Sequence, residues 1–181
     1  MANRQHDQIQ YIATGDPATD FHDRLLYPGA LGGLYTDDQG KQWQLVQGDS
    51  GMSVAPFPGA ETWWQDKAAF KVTTAATNRG MHAGVVARRS KLNAELSAAP
   101  GRGQYFFVQK GGRAIVKTVD AVTAAPTGVG QFVVPSATAG KVDILAAGSA
   151  ATYPPVGREL GWYNQVAAEV YVDLDNSDRE D

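Results

Sequence analysis

Gly48-Asp49-Ser50-Gly51 has the residue types of a serine nucleophile stretch. Acyl transfer at Ser50 would need a histidine base on its hydroxyl, an acid to orient that histidine, and backbone N–H groups for the oxyanion. The chain offers His6, His22 and His82. His22 lies 28 residues before Ser50, and no long two-barrel body separates them. A glycine-bounded turn with a side-chain cap is the simpler reading, and hydrolysis at Ser50 is the rival. The histidines lack the His-x-His and His-x-x-x-His spacings of metal ligands, so no metal site is expected. Asp37-Asp38 and the Asp173, Asp175, Asp178 group lack the ligand order and glycine of a calcium loop, which leaves them as solvated turns or tails. No helix follows Gly128-Val129-Gly130, so it is no dinucleotide loop. Arg88-Arg89 reads as a solvated strand end or ion-pair partner. Trp63-Trp64 could stack a sugar or a base. Adjacent residues of a strand face opposite sides, so one tryptophan is expected in the core and the other at a surface or interface. The expectation is a protein without catalytic, cofactor or metal residues, not an enzyme, that works by binding other protein.

Composition agrees. Lys and Arg number 16 against 19 Asp and Glu, for a net charge of −3. No basic excess draws the chain to nucleic acid or to an anionic membrane. Without cysteine, disulfides, thiolate metal sites and thiol nucleophiles are excluded, and assembly in a reducing cytoplasm is favoured. No apolar run has the length of a signal peptide core or a membrane span, so a soluble protein is expected. Twenty glycines, with abundant alanine and threonine, favour short strands joined by many turns.

Those strands can be placed. Residues 1–29 read as an arm and one short helix: a polar stretch with an Ile9–Ile12 patch, then Asp16 as cap, Pro17 at the first helical position, and Phe21 and Leu25 four apart. Strands are expected at Leu34–Thr36 and Lys41–Gln47, the second half-buried with Trp43 and Leu45 alternating with glutamines. The Gly/Pro-rich stretch up to Trp63-Trp64 reads as a long connection or a strand interrupted by bends, because Pro56 and Pro58 do not suit a central strand. Two strands follow, 69–75 and 82–89, then a helical turn or two over 90–101. Gly103 to Thr118 predicts a hairpin over Gly111-Gly112: Tyr105 and Phe107 face one way, Phe106 and Val108 the other. With both faces apolar, this strand belongs inside a sandwich or barrel, or under a subunit contact. Gln131–Val134 and Lys141–Leu145 flank a loop. A last strand runs through residues 169–175, with Val170, Val172 and Leu174 on one face. The sum is an all-β domain of short, mainly antiparallel strands, sandwich or barrel-like, over residues 30–175, with an acidic tail at 176–181.

The order of these pieces resembles the small head-decoration, or cement, proteins of tailed bacteriophages. The likeness is carried by Gly84-Val85, Gly103-Gln104-Tyr105, Val108-Gln109, Gly111-Gly112, Val116-Lys117 and the Ser136 to Gly140 loop. It implies a virion structural protein without cofactor, assembled in the host cytoplasm. Such a protein binds the major capsid protein on the outer capsid surface, often as a homotrimer, with no direct contact to nucleic acid or membrane. Ile9, Tyr11, Ile12, Trp63, Trp64, Tyr105 and Phe107 are the candidate interface residues. A tail-tube or head–tail connector subunit is the nearest alternative, and a carbohydrate-binding module using Trp63 or Trp64 a more distant one.

Overall fold

The structure is a computed structural model that describes residues 31–36, 40–86, 103–126 and 130–174. The expected arm and short helix over 1–29, the helical turn over 90–101 and the tail at 176–181 lie outside these residues, as do Arg88-Arg89 and Asp37-Asp38.

Among the described residues the fold is all β, apart from one 3-10 turn at Ala76–Asn78. The strands are β1 (Leu34–Thr36), β2 (Gln42–Gly48), β3 (Glu61–Asp66), β4 (Lys71–Thr73), β5 (His82–Val86), β6 (Tyr105–Lys117), β7 (Phe132–Pro135), β8 (Val142–Ile144), β9 (Gly157–Asn164) and β10 (Glu169–Leu174). Each strand in the order β2-β4-β3-β5-β6 pairs with the next, and β6 pairs back onto β2, which closes a small barrel. Closure removes the exposed edges an open sheet would leave. Val46, Ala60, Trp64, Val72, Ala83, Val86, Phe106 and Val108 fill its interior. The order β6-β10-β9-β7-β8 forms a second sheet, which curls until Val142 meets Thr118, just past β6, in a parallel bridge. Its core of valines, Ile144 and Leu174 also takes in Trp63 and Val85 from the barrel's outer face, so the two units share one apolar seam.

The expected hairpin at Gly111-Gly112 is not formed: residues 105–117 are a single strand. Its first half pairs with β2, Phe107 opposite Leu45, and its second half with β10, Ile115 opposite Tyr171. The glycines serve a bend that carries the strand from barrel to second sheet. Opposite Gln42 and Trp43 the register slips by one residue, leaving Lys110 as a bulge, and bulges sharpen the local bend. The Gln109 amide then donates to the carbonyls of Gly111 at 3.0 Å and Arg113 at 3.1 Å, occupying acceptors that the change of partner frees. Paired glycines signal positive φ, and a bend needs that as much as a turn does. What separates the two is whether both strand edges find other partners, and that is not a local property.

Gly112 has φ +79, and a Cβ there would meet Lys41 Cγ no closer than 3.4 Å. Space is therefore adequate and the cost of a side chain is conformational. Gly112→Val should destabilise by about 2 kcal/mol, and Gly112→Asn by less, since asparagine tolerates this region. Urea midpoints measure both; a valine variant with the wild-type midpoint would mean that the strand does not bend at this residue.

Two hairpins close through the same turn. After β3, Asp66 Oδ1 accepts the N–H of Ala69 and Phe70 sits at φ 51; after β9, Asn164 Oδ1 accepts the N–H of Ala167 and Ala168 sits at φ 48. Phe70 N donates to Lys67 O and Ala168 N to Gln165 O. An Asp or Asn side chain standing in for a backbone acceptor nucleates each turn. Phe70 is held in its strained conformation by packing edge-on against Trp64, ring centroids 6.4 Å apart.

Candidate functional site

Ser50 is exposed in the turn after β2, where Met52 N donates to Asp49 O. The histidine nearest to a catalytic arrangement is His82, whose Nδ1 is hydrogen-bonded to Glu61 Oε1. That half of the geometry matches an acid orienting a base. The other half is missing: His82 Nε2 is buried without a hydrogen-bond partner, so no serine hydroxyl sits on it. His6 and His22 lie outside the described residues. Among the described residues no group of three or more His, Asp or Glu side chains could hold a metal ion.

Glu61 is fully buried, and burial pushes its carboxyl above the ordinary carboxylate value, opposed by the charge and hydrogen bond of His82. Among the described residues two other carboxylates are buried. Glu169 meets Lys117 Nζ at 2.8 Å, and the same ammonium donates to Ala167 O at 2.8 Å, tying β6 to the β9–β10 turn. Glu159 uses Oε2 to accept the N–H of Gly161. This bond shapes the surface. The β9–β10 register passes from Val172 opposite Glu159 to Val170 opposite Tyr163, so Leu160, Gly161 and Trp162 together face Tyr171. Bulges re-aim side chains, and here Trp162 is left 43 % exposed. Val166, at the tip of the same hairpin, is 99 % exposed. Nearby on β7, Phe132 lies beneath the Arg158 guanidinium at 4.1 Å.

The expected interface residues that the structure describes, Trp63, Trp64, Tyr105 and Phe107, do not lie together at a surface. Trp63 is 1 % and Trp64 5 % exposed. They do face opposite sides, as alternation requires, but the side away from the barrel interior is covered by the second sheet. Trp64 points into the barrel, with Lys110 Nζ 5.5 Å from its ring. Both tryptophans are buried, where one was expected at a surface or interface, and neither offers a stacking platform. Phe107 is buried and Tyr105 half-buried at the start of β6. Ile9, Tyr11 and Ile12 lie outside the described residues. Among the described residues the exposed large apolar side chains are Leu34, Val54 and Met81 on the barrel, and Phe132, Trp162 and Val166 on the second sheet. One local signal pointed to Trp162: a glycine beside it, inside a strand, marks a bulge.

No helix among the described residues is long and apolar enough to cross a membrane. No family model matches the chain, and no curated protein does. Among solved structures it is similar to a chain from the capsid of Myoviridae Phage XM1, at 16 % identity and a TM-score of 0.45, over 86 % of this chain and 97 % of that one.

Proposed function

We propose that the protein is a virion structural component that binds the outer surface of a phage capsid and stabilises it, without catalysis. The observation that carries this reading is where the residues of the family resemblance fall. Gly84-Val85 lies on β5; Tyr105, Val108-Gln109, Gly111-Gly112 and Val116-Lys117 lie along the one strand shared by barrel and second sheet; Ser136 to Gly140 links β7 to β8. All are scaffold positions, so the likeness concerns how the body is built, as it must in a protein whose work is distributed contact. A clamp of this kind needs a rigid body, many modest contacts and repetition by symmetry, from which avidity follows. Exposed apolar side chains on both barrel and second sheet suit contacts on more than one side.

The test is to add purified protein to heads assembled without it. Saturable binding at a stoichiometry fixed by capsid symmetry is expected, with heat-induced DNA release moved to higher temperature. Removing residues 1–15 should weaken binding while the melting temperature of the free protein stays the same. Heads that take up no protein would overturn the proposal. Light scattering then separates the arrangements: a trimer fits a decoration unit at a local three-fold, whereas rings of six or more would favour a tail-tube or connector subunit.

A further inference from the structure

Glu61 and His82 sit where the barrel meets the second sheet. Glu61 opens β3, and its backbone N–H donates to Gly140 O, in the β7–β8 loop, at 2.9 Å. Trp63 and Val85, its strand neighbours on the same face, pack into the second sheet's core. His82 opens β5; its ring stands edge-on to Trp63, centroids 6.5 Å apart. Two residues ahead of it, a Cβ at Gly80 would come within 3.3 Å of Tyr153 and 4.0 Å of Pro154 of the second unit. The polar pair thus lies among contacts that join the two units. Each partner also carries a buried atom without a hydrogen bond, Oε2 of Glu61 and Nε2 of His82.

Charged side chains of the adjoining elements are occupied elsewhere. Arg79, ahead of β5, lies over the Tyr153 ring at 4.7 Å. On β6, Lys110 lies over Trp64 on the opposite face of β3, and Lys117 pairs with Glu169. Beyond Gly140, Lys141 pairs with Asp120, and Asp143 bonds Thr123. Lys71 of β4 is exposed. His82 is the charge that acts on Glu61.

We propose that the Glu61–His82 pair is a proton-controlled latch on the seam between the barrel and the second sheet. With one proton shared between the hydrogen-bonded imidazole and carboxylate, the pair is neutral as a unit and its burial is tolerated. Without that proton, a net negative charge remains on a fully buried carboxylate with one unbonded oxygen, and burying an uncompensated charge is costly. The seam then loosens. The elevation of Glu61 acts in the same sense. A folded-state value above the ordinary 4.5 means that the native state holds more protons than the unfolded one. That contribution is full below the unfolded value and is lost as pH rises through the folded value. The latch is therefore tight at the acid side and looser at the alkaline side, whatever surface the protein binds.

Hydrogen exchange of the full chain between pH 5 and 9, corrected for intrinsic amide rates, tests it. Protection of the amides of residues 61–64 and 82–86 is expected to fall with rising pH, by up to about tenfold per unit, the limit for one proton. Glu61→Gln, which keeps the shape and removes the charge, should flatten that dependence. His82→Gln, which cannot take up a proton, should do the same, so a failure of one variant to fold leaves the other decisive. Protection independent of pH in the wild type, or an unchanged dependence in the folded variants, would overturn the latch.

Discussion

Trp63→Ala is expected to cost about 3–5 kcal/mol of folding stability, a lowering of the melting temperature by roughly 10 °C or more for a chain of this size. The indole is 1 % exposed, and it is the largest side chain the barrel contributes to the second sheet's core. Removing it empties the middle of the seam, where β3 and β5 on one side and β8 and β10 on the other cannot all move in to refill the space. Because the whole stability of such a domain is of order 5–15 kcal/mol, the loss should be visible in any denaturation experiment. Trp162→Ala makes the control. That indole stands on a bulge and its loss should change stability by about 0.5 kcal/mol or less. If the second sheet meets a partner through this hairpin, Trp162→Ala weakens binding by a protein that still folds, whereas Trp63→Ala weakens binding only through the fold. Equal stability losses in the two variants would contradict the burial pattern on which the distinction rests.

The difference between these tryptophans shows what the sequence could and could not disclose. Alternation places Trp63 and Trp64 on opposite faces, and that is correct. Exposure of one of them does not follow, because a second sheet covers the outer face of the barrel, and its arrival depends on residues about fifty and more positions downstream. The all-β class, the burial of β6 on both faces and the inward side of β10 were legible, since each rests on a local pattern of apolar residues. β3 was half seen and β9 missed. Their hairpins close through Asp66 and Asn164, with Phe70 and Ala168 in the left-handed region, not through the glycine and proline pairs that ordinarily mark a turn. The Glu61–His82 pair was invisible for another reason. Its members are 21 residues apart and meet only because β3 and β5 are neighbours in the barrel.

Gly157→Ala is expected to be more disruptive than its single added methyl suggests. Gly157 sits in β9 between two partners, opposite Val133 of β7 and Leu174 of β10. A Cβ at this position would stand 2.2 Å from the carbonyl oxygen of Asp173 and 2.7 Å from Val172 Cγ1. The first contact is with backbone that belongs to the β9–β10 ladder and has no rotamer to change. Relief requires β9 and β10 to separate at their ends, just where Leu174 and Val172 seal the core of the second sheet. Overpacking of this kind typically costs about 1–3 kcal/mol, and the backbone contact puts Gly157→Ala at about 3 kcal/mol, above Gly112→Val, where a Cβ meets nothing closer than 3.4 Å. The two glycines thus separate two reasons for having no side chain, conformation at one and space at the other. Substitution by asparagine tells them apart: it should recover part of the loss at Gly112 and none at Gly157. Urea denaturation of the four variants checks the order, and a Gly157→Ala protein as stable as the wild type would show that β9 and β10 do not approach each other as closely as the structure has them.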